Sequence, residues 1–543
     1  MQRLAQGTYG WARWLACTMA IAIAMLLTAP YGAEAAKNVW AVYNEAQALE
    51  KKGKYADAIR KYEQTIPEFV KKKEYSNAGQ MYRRIGDLYV KLKNYDAAAM
   101  NYDQESAYYA LAGKKQETTA VKIKADALRS SAKLFVRVDA SKAGDRNYTG
   151  ALFEPKNGAL LGAYAEQDPK VHDPADGKPF YPEAFPVMTG KKHAGYLLYF
   201  SYGNPLSTIQ SHIDKAKANG VALQLALQPL EGLDVVQDDA YLRGLARDAA
   251  AAGIPIFLRF ANEMNGNWVP WFTTPETYIA KFRIVANVFK EEAPDNVAIV
   301  WSPDRASEHT IQDYYPGDAY VDWVGISLYS IYNPANDPLK QGEDRSSHIE
   351  KFKAIYEMYA DRKPVFISEG AVSYMYPEKL QDKTAWAVYK TREFYATLPM
   401  LFPKVKGVYW FDSNSDATSR VKYYMLSANP KLLEAYKQVI ADPFYLGSLG
   451  EEAPYVYEDA SSAKLPAGKV KLSAYVKTWA PMLSKVTYEI GGKTVGTSTA
   501  LPWTVDIDMT QYHGKTIQVT IRAYDNAAKL VTMQKVPITI ARR

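Results

Sequence analysis

Cysteine is almost absent from this chain: of 543 residues only Cys17 is one. It falls inside an apolar leader, so no disulfide staples the body of the protein. Histidine is scarce too, at six. No HExxH or other paired-histidine spacing occurs, and no GxSxG, which disfavours a helix-borne zinc site and a serine nucleophile on a strand-to-helix elbow. Neither a metal nor a cofactor is expected. Lys and Arg outnumber Asp and Glu by only 66 to 59, for a net charge of +7, and no basic run reads as a nucleic-acid surface. Beyond the leader no stretch approaches the ~20 apolar residues of a membrane-spanning helix. Aromatic rings, by contrast, are plentiful, with 42 Tyr and 11 Trp. Something besides core filling uses them.

The leader sets the compartment. Arg3 and Arg13 precede an apolar run from Trp14 to Ala29, and Ala33-Glu34-Ala35 supplies a small-residue cleavage pattern. Residues 1–35 read as a secretory signal peptide, which places the rest outside the cytoplasm, secreted or on a bacterial surface. An uncleaved anchor is the alternative. Leu15-Ala16-Cys17 resembles a lipidation box, but the apolar run continues past Cys17, where such a box would end it.

Length predicts several domains. Over 36–140 a helical pattern repeats: Tyr55, Ala58 and Tyr62 are echoed by Tyr75, Ala78 and Tyr82, then by Tyr95, Ala98 and Tyr102. Spacings of three and seven put ring, small residue and ring on one helix face. A small residue where a neighbour crosses, with rings beside it, is how stacked hairpins interlock. The region resembles the tetratricopeptide class, with a longer period, and suits a protein partner; a bundle that merely packs is the alternative.

From 150 to 446 short apolar strands alternate with amphipathic helices. Strands are expected at 159–164, 195–202, 222–228, 254–260, 297–302, 321–327, 365–368 and 407–411. Eight strands with crossover helices predict a (β/α)8 TIM barrel. An open doubly wound sheet is the alternative, but no Gly-rich phosphate loop follows the first strand. Residues 452–543 change character again, with short alternating runs separated by Gly491-Gly492 and Asp525-Asn526, and predict an Ig-like β-sandwich. It resembles the bacterial Ig-like modules of surface enzymes, as a sugar binder or a spacer.

Reactive groups of such a barrel sit where its strands end. The fourth strand ends in Asn262-Glu263, followed by Trp268 and Trp271, and the seventh in Glu369-Gly370; Trp301 with Asp304, Tyr329, and Trp410 with Asp412 end the others. Two glutamates facing each other in a mouth of indoles and phenols are the equipment of glycoside hydrolysis. One carboxylic acid protonates the leaving oxygen, and one carboxylate meets the anomeric carbon. Aromatic faces stack on sugar C–H faces.

Here a family resemblance enters. RFANEMNGNWVPW, WSPD, YYPGDAYVDWVGISLY, FISEGA and VYWFD, in that order, resemble glycoside hydrolase family 26, in the clan whose carboxylates follow strands four and seven. The resemblance implies Glu263 as general acid/base, Glu369 as nucleophile and a retaining mechanism. It implies Tyr329 as a hydrogen-bond donor to the nucleophile and Trp410 as the floor of the sugar site. Trp268 and Trp271 would line neighbouring subsites, with Trp301 in the same mouth, and Arg259 would be a substrate contact or an ion-pair partner. One departure matters: the family usually has His before the acid/base, and this chain has Asn262. β-1,4-Mannan, β-1,3-xylan and mixed-linkage glucan therefore all stay open as substrates. The expectation is a secreted retaining endo-β-glycanase, β-mannan first. A non-catalytic polysaccharide-binding scaffold and an envelope factor trimming a self-made polymer are the alternatives.

Overall fold

The computed structural model describes residues 38–172, 181–305, 308–334, 348–414, 423–480 and 482–542. The leader 1–35 lies outside them. The chain divides into two compact units, one ending at Asp126 and one beginning at Ala127.

The first unit is helical. Helices α1 (Val39–Lys51), α2 (Tyr55–Lys71), α3 (Tyr75–Lys91), α4 (Tyr95–Leu111) and α5 (Lys115–Leu128, which crosses the unit boundary) follow one another through short turns. Each turn has one residue with left-handed backbone: Gly53, Lys73, Lys93 and Gly113. That conformation turns the chain off the helix axis and returns it for the next helix. Ala58, Ala78 and Ala98 of the sequence repeat are fully buried, as are Tyr62 and Tyr102. Tyr82 stacks on Tyr108, centroids 5.5 Å apart.

The stretch Ser131–Asp139, expected at the end of the helical region, is a strand, β1. Its side chains alternate between two buried faces: Ala132, Leu134 and Val136 enter one core and Phe135 another. That is the period of a strand, not of a helix stripe.

The eight barrel strands are β2 (Ala159–Tyr164), β3 (Gly195–Ser201), β4 (Ala222–Gln228), β5 (Ile256–Phe260), β6 (Val297–Trp301), β7 (Trp323–Ser330), β8 (Val365–Val372) and β9 (Val405–Phe411). Each pairs in parallel with the next, and β9 pairs with β2 to close the cylinder. The described helices between them are α6 (Tyr181–Thr189), α7 (Gln210–Asn219), α8 (Ala240–Ala252), α9 (Pro275–Glu292), α10 (His348–Tyr359) and α11 (Thr384–Leu401); α12 (Pro430–Ile440) follows β9. The lower barrel is filled with rings. Phe257 packs edge-on to Trp323 at 5.2 Å and to Phe366 at 5.4 Å. Tyr409 fits only because Gly162 and Gly195 lack a Cβ, which would lie 2.1 Å and 2.0 Å from its side chain.

Two further sheets follow. With β10 (Tyr455–Asp459), β11 (Lys469–Lys477), β12 (Leu483–Ile490), β13 (Lys493–Ser498), β14 (Val505–Asp508), β15 (Thr516–Asp525) and β16 (Leu530–Ile540), one sheet runs β10-β1-β11-β14. The other runs from Lys464–Leu465 through β16, β15 and β12 to β13. They enclose a core that includes Leu134, Leu472, Tyr488, Val519 and Ile538. The opposite face of the first sheet meets the barrel, where Phe135, Tyr455, Tyr457 and Tyr475 join the barrel core. Arg137 lies 3.8 Å over the Tyr455 ring and donates to the Tyr457 hydroxyl at 3.1 Å. Among the described residues no helix is long and apolar enough to cross a membrane.

Candidate active site

Both glutamates owe their aim to irregular backbone. Past β5, Ala261 and Glu263 take left-handed conformations, φ 44° and 58°, which non-glycine residues adopt at a cost. The turn is held by the Glu263 amide, which donates to Ser302 O at 2.8 Å, and by the Gly266 amide on Glu263 O at 2.9 Å. Asn265 clips it to the end of β6, donating to Asp304 O and accepting from the Asp304 amide, both at 2.9 Å. In β8 the register slips between Ile367 and Glu369 against β7. This bulge lets neighbours in sequence serve the same interior, where a regular strand would send one of them out. Ser368 Oγ meets Ser302 Oγ at 3.3 Å, and Glu369 reaches the mouth.

Beneath the mouth lies a polar layer. Arg259, fully buried, donates to Ser302 Oγ at 2.9 Å, Ser327 Oγ at 2.7 Å and Glu369 Oε2 at 2.6 Å. Gln224 donates to Ser368 O at 2.8 Å. Glu369 also accepts from Tyr199 on Oε2 at 2.7 Å and from Tyr329 on Oε1 at 2.9 Å. Burial and then the Glu369 charge push both phenols well above their ordinary range. They remain donors. Three donors, one a cation, favour the charged form of a carboxylate.

Glu263 is treated oppositely. Withdrawal from water, then the negative charges of Glu369 and Asp304, raise it to about 7. Its Oε2 accepts from Trp268 Nε1 at 2.7 Å, while the Trp268 ring stays 55% exposed. Asn262 is buried, and its Oδ1 has no hydrogen-bond partner.

Three of the expected aromatics do not line the mouth. Trp271 is buried and donates to Asn262 O at 2.8 Å, bracing the loop from beneath. Trp301 is buried against Tyr315 and against Tyr359 of α10. Trp410 packs on Tyr436 of α12 and donates to Tyr424 O at 3.1 Å, so it faces the helix layer and not a sugar. The cause is strand alternation: Tyr409 and Phe411 take the inward side of β9 and turn Trp410 outward. In its stead Phe411 and Tyr164 stack at 4.6 Å beside Tyr199 and Tyr329. Tyr199, Ser302, Ser327 and Gln224 went unread in the sequence. A lone polar group in an apolar strand was the available signal for Gln224, and none marked Tyr199.

Residues 230–387 match the model for glycosyl hydrolase family 26. The matched span takes in Glu263, Glu369 and every partner named for them except Tyr199. Endoglucanase H of Acetivibrio thermocellus is 28% identical over 273 residues, 48% of this chain and 28% of that protein. Mannan endo-1,4-beta-mannosidase of Bacillus subtilis is 33% identical over 89 residues, 14% of this chain and 24% of that protein. The chain thus spans under a third of either relative. A solved Cellulomonas fimi endo-beta-1,4-mannanase double mutant aligns at 18% identity and a TM-score of 0.40, over 71% of this chain and 94% of that one. The family match and the two sequence relatives support a glycoside hydrolase.

Proposed function

We propose that this chain is a retaining, endo-acting hydrolase of β-linked polysaccharide, with Glu369 as nucleophile and Glu263 as general acid/base. The observation that carries the reading is the unequal treatment of two carboxyl groups in one mouth. Arg259, Tyr199 and Tyr329 surround Glu369 with donors, while Glu263 sits at about 7. Such a split separates an acid from a nucleophile.

In the first step a Glu369 oxygen attacks the anomeric carbon as the glycosidic C–O bond breaks. The leaving oxygen takes the proton of Glu263, and a glycosyl ester forms on Glu369. Esterification removes the Glu369 charge, one of the causes that raises Glu263, so Glu263 becomes the stronger acid and stays ionised as a base. It then takes a proton from water as the water oxygen attacks the same carbon and expels Glu369. Trp268 and the Ser327 hydroxyl both hydrogen-bond the Glu263 carboxyl and hold it in place as its proton moves. The unpartnered Asn262 Oδ1 suits a sugar hydroxyl near the reacting ring.

β-Mannan is the first substrate to try, because one relative is named for it; the other is named an endoglucanase. Secretion follows from the leader, partner binding from the tetratricopeptide-like repeats, and a spacer or sugar-binding role from the Ig-like sheets. The test is reducing-end release from a panel of β-mannan, β-1,3-xylan and mixed-linkage glucan, with proton NMR of the earliest product. Release with β configuration is expected. A first product of α configuration would sink the mechanism, and no release from any polymer would sink the reading.

A further inference from the structure

A second pair of acids at the barrel rim has no part in the proposed chemistry. Asp412 directly follows β9, Asp168 lies in the segment after β2, and both are fully buried. Asp412 Oδ1 accepts from the Leu426 amide at 2.6 Å. Asp168 Oδ1 accepts from the Ser427 hydroxyl at 2.7 Å and the Lys170 amide at 2.9 Å. The carboxyl groups are within hydrogen-bonding reach of each other, yet Oδ2 of each meets no donor. Two buried carboxylates in contact cannot both stay ionised. A proton between the two orphaned oxygens satisfies both.

The segment they grip, 423–427, is fastened at several other points. Tyr424 N donates to Ser413 O at 3.2 Å, Met425 N to Asn414 Oδ1 at 2.9 Å, and Trp410 Nε1 to Tyr424 O. The Tyr424 ring is buried and stacks on Tyr329, centroids 5.2 Å apart at 21°. Tyr329 in turn holds Glu369 Oε1.

We propose that Asp168 and Asp412 share one proton and, as positioning residues, fix Tyr424 behind Tyr329 and thereby hold the Tyr329 hydroxyl on Glu369. The catalytic half of this inference rests on the reading of Glu369 as nucleophile; the shared proton does not. Burial, then the Asp168 contact, drives Asp412 well above the usual carboxylate range. Among the described residues, the other titratable groups that face Asp412 are the phenols of Tyr374 and Tyr436, themselves raised by burial and neutral. Lys170 meets Asp168 through its backbone amide, not through its ammonium. Because the folded-state value of Asp412 is raised, its contribution to stability is complete below the ordinary Asp value of about 3.9. It is lost as pH rises through the folded value.

Asp412→Asn keeps the shape and supplies a permanent N–H donor to Asp168; Asp412→Ala supplies none. On the full chain, Tm is followed from acid to alkaline pH for wild type, Asp412→Asn and Asp168→Asn. Kinetics on the substrate identified by the glycan panel are run alongside. As pH rises from the ordinary Asp value toward the raised one, the wild type should lose Tm more steeply than either Asn variant. Asp412→Ala should lower kcat about tenfold with KM little moved, the scale of one lost charge-assisted hydrogen bond. Asp412→Asn should restore most of it. Identical Tm profiles for wild type and the Asn variants would overturn the shared proton, as would failure of both Asn variants to fold. Equal kcat loss in Asp412→Ala and Asp412→Asn would overturn the positioning role. If no polymer is cleaved, the Tm profiles still decide the shared proton, so the two failures are told apart.

Discussion

The Tyr199 hydroxyl donates to Glu369 Oε2 at 2.7 Å across the barrel mouth, from the second barrel strand to the seventh. It shares that oxygen with Arg259, while Tyr329 takes the other. A nucleophile held from both sides points a fixed edge at its target. Tyr199→Phe removes one donor and almost no volume, so kcat should fall about 10- to 100-fold, the range of a hydrogen bond to a charged group. Steady-state kinetics with KM near the wild-type value would bear this out; an unchanged kcat would contradict it.

The two glutamates should fail in different ways. Glu369→Ala should lose nearly all turnover and regain part of it with azide, giving product of the inverted configuration. Glu263→Ala should be crippled on poor leaving groups and far less so on aryl glycosides of low pKa. The contrast between substrates and added nucleophiles is the measurement.

Glu263 must be protonated to start the cycle, and it is raised to about 7. Above that pH kcat/KM should fall tenfold for each unit. Asp304 is one of the charges that raises it, so Asp304→Asn should move the alkaline limb toward acid. A shift toward alkaline pH would mean the sign of the coupling is wrong.

Trp268 and Trp410 should separate function from stability. Trp268→Phe loses the N–H on Glu263 and should change kcat at an unaltered Tm, because the ring is half exposed. Trp410→Ala empties a site packed between β9 and α12 and should cost about 3–5 kcal/mol of stability. Thermal unfolding beside kinetics distinguishes the two.

A fragment beginning at Ala127 should fold without the helices before it, since it contains a whole compact unit. One beginning at residue 140 loses β1 from between β10 and β11 and should be markedly less stable. Equal melting of both fragments would show β1 to be dispensable.

Much of the barrel was legible because its strands are short apolar runs between helical stripes. The run 159–164 is β2 to the residue, and 222–228 is β4. Which side of each strand faces inward was not legible. Strands covered on both faces are apolar throughout, so no alternation marks the interior. Every residue of Val405–Phe411 is buried, and nothing in VKGVYWF says that Tyr409 rather than Trp410 turns in. Tyr199 was hidden in the same way. Glu369 escaped the ambiguity through a motif, although the bulge that aims it depends on pairing with β7 and leaves no local trace. β1 was absorbed into the helical region because the strands it pairs with, β10 and β11, lie far along the chain.

That separation has a consequence during synthesis. β1 leaves the ribosome about 300 residues before β10. At roughly 5–20 residues per second it waits on the order of 15–60 s for a partner. Throughout that interval its apolar face of Ala132, Leu134, Val136 and Val138 is uncovered, the kind of segment that recruits other chains. The whole barrel is made in the meantime and can fold as a unit, so the sheet that packs against it forms only afterwards. Newborn chains of this protein are therefore most exposed to aggregation when their largest domain is already complete.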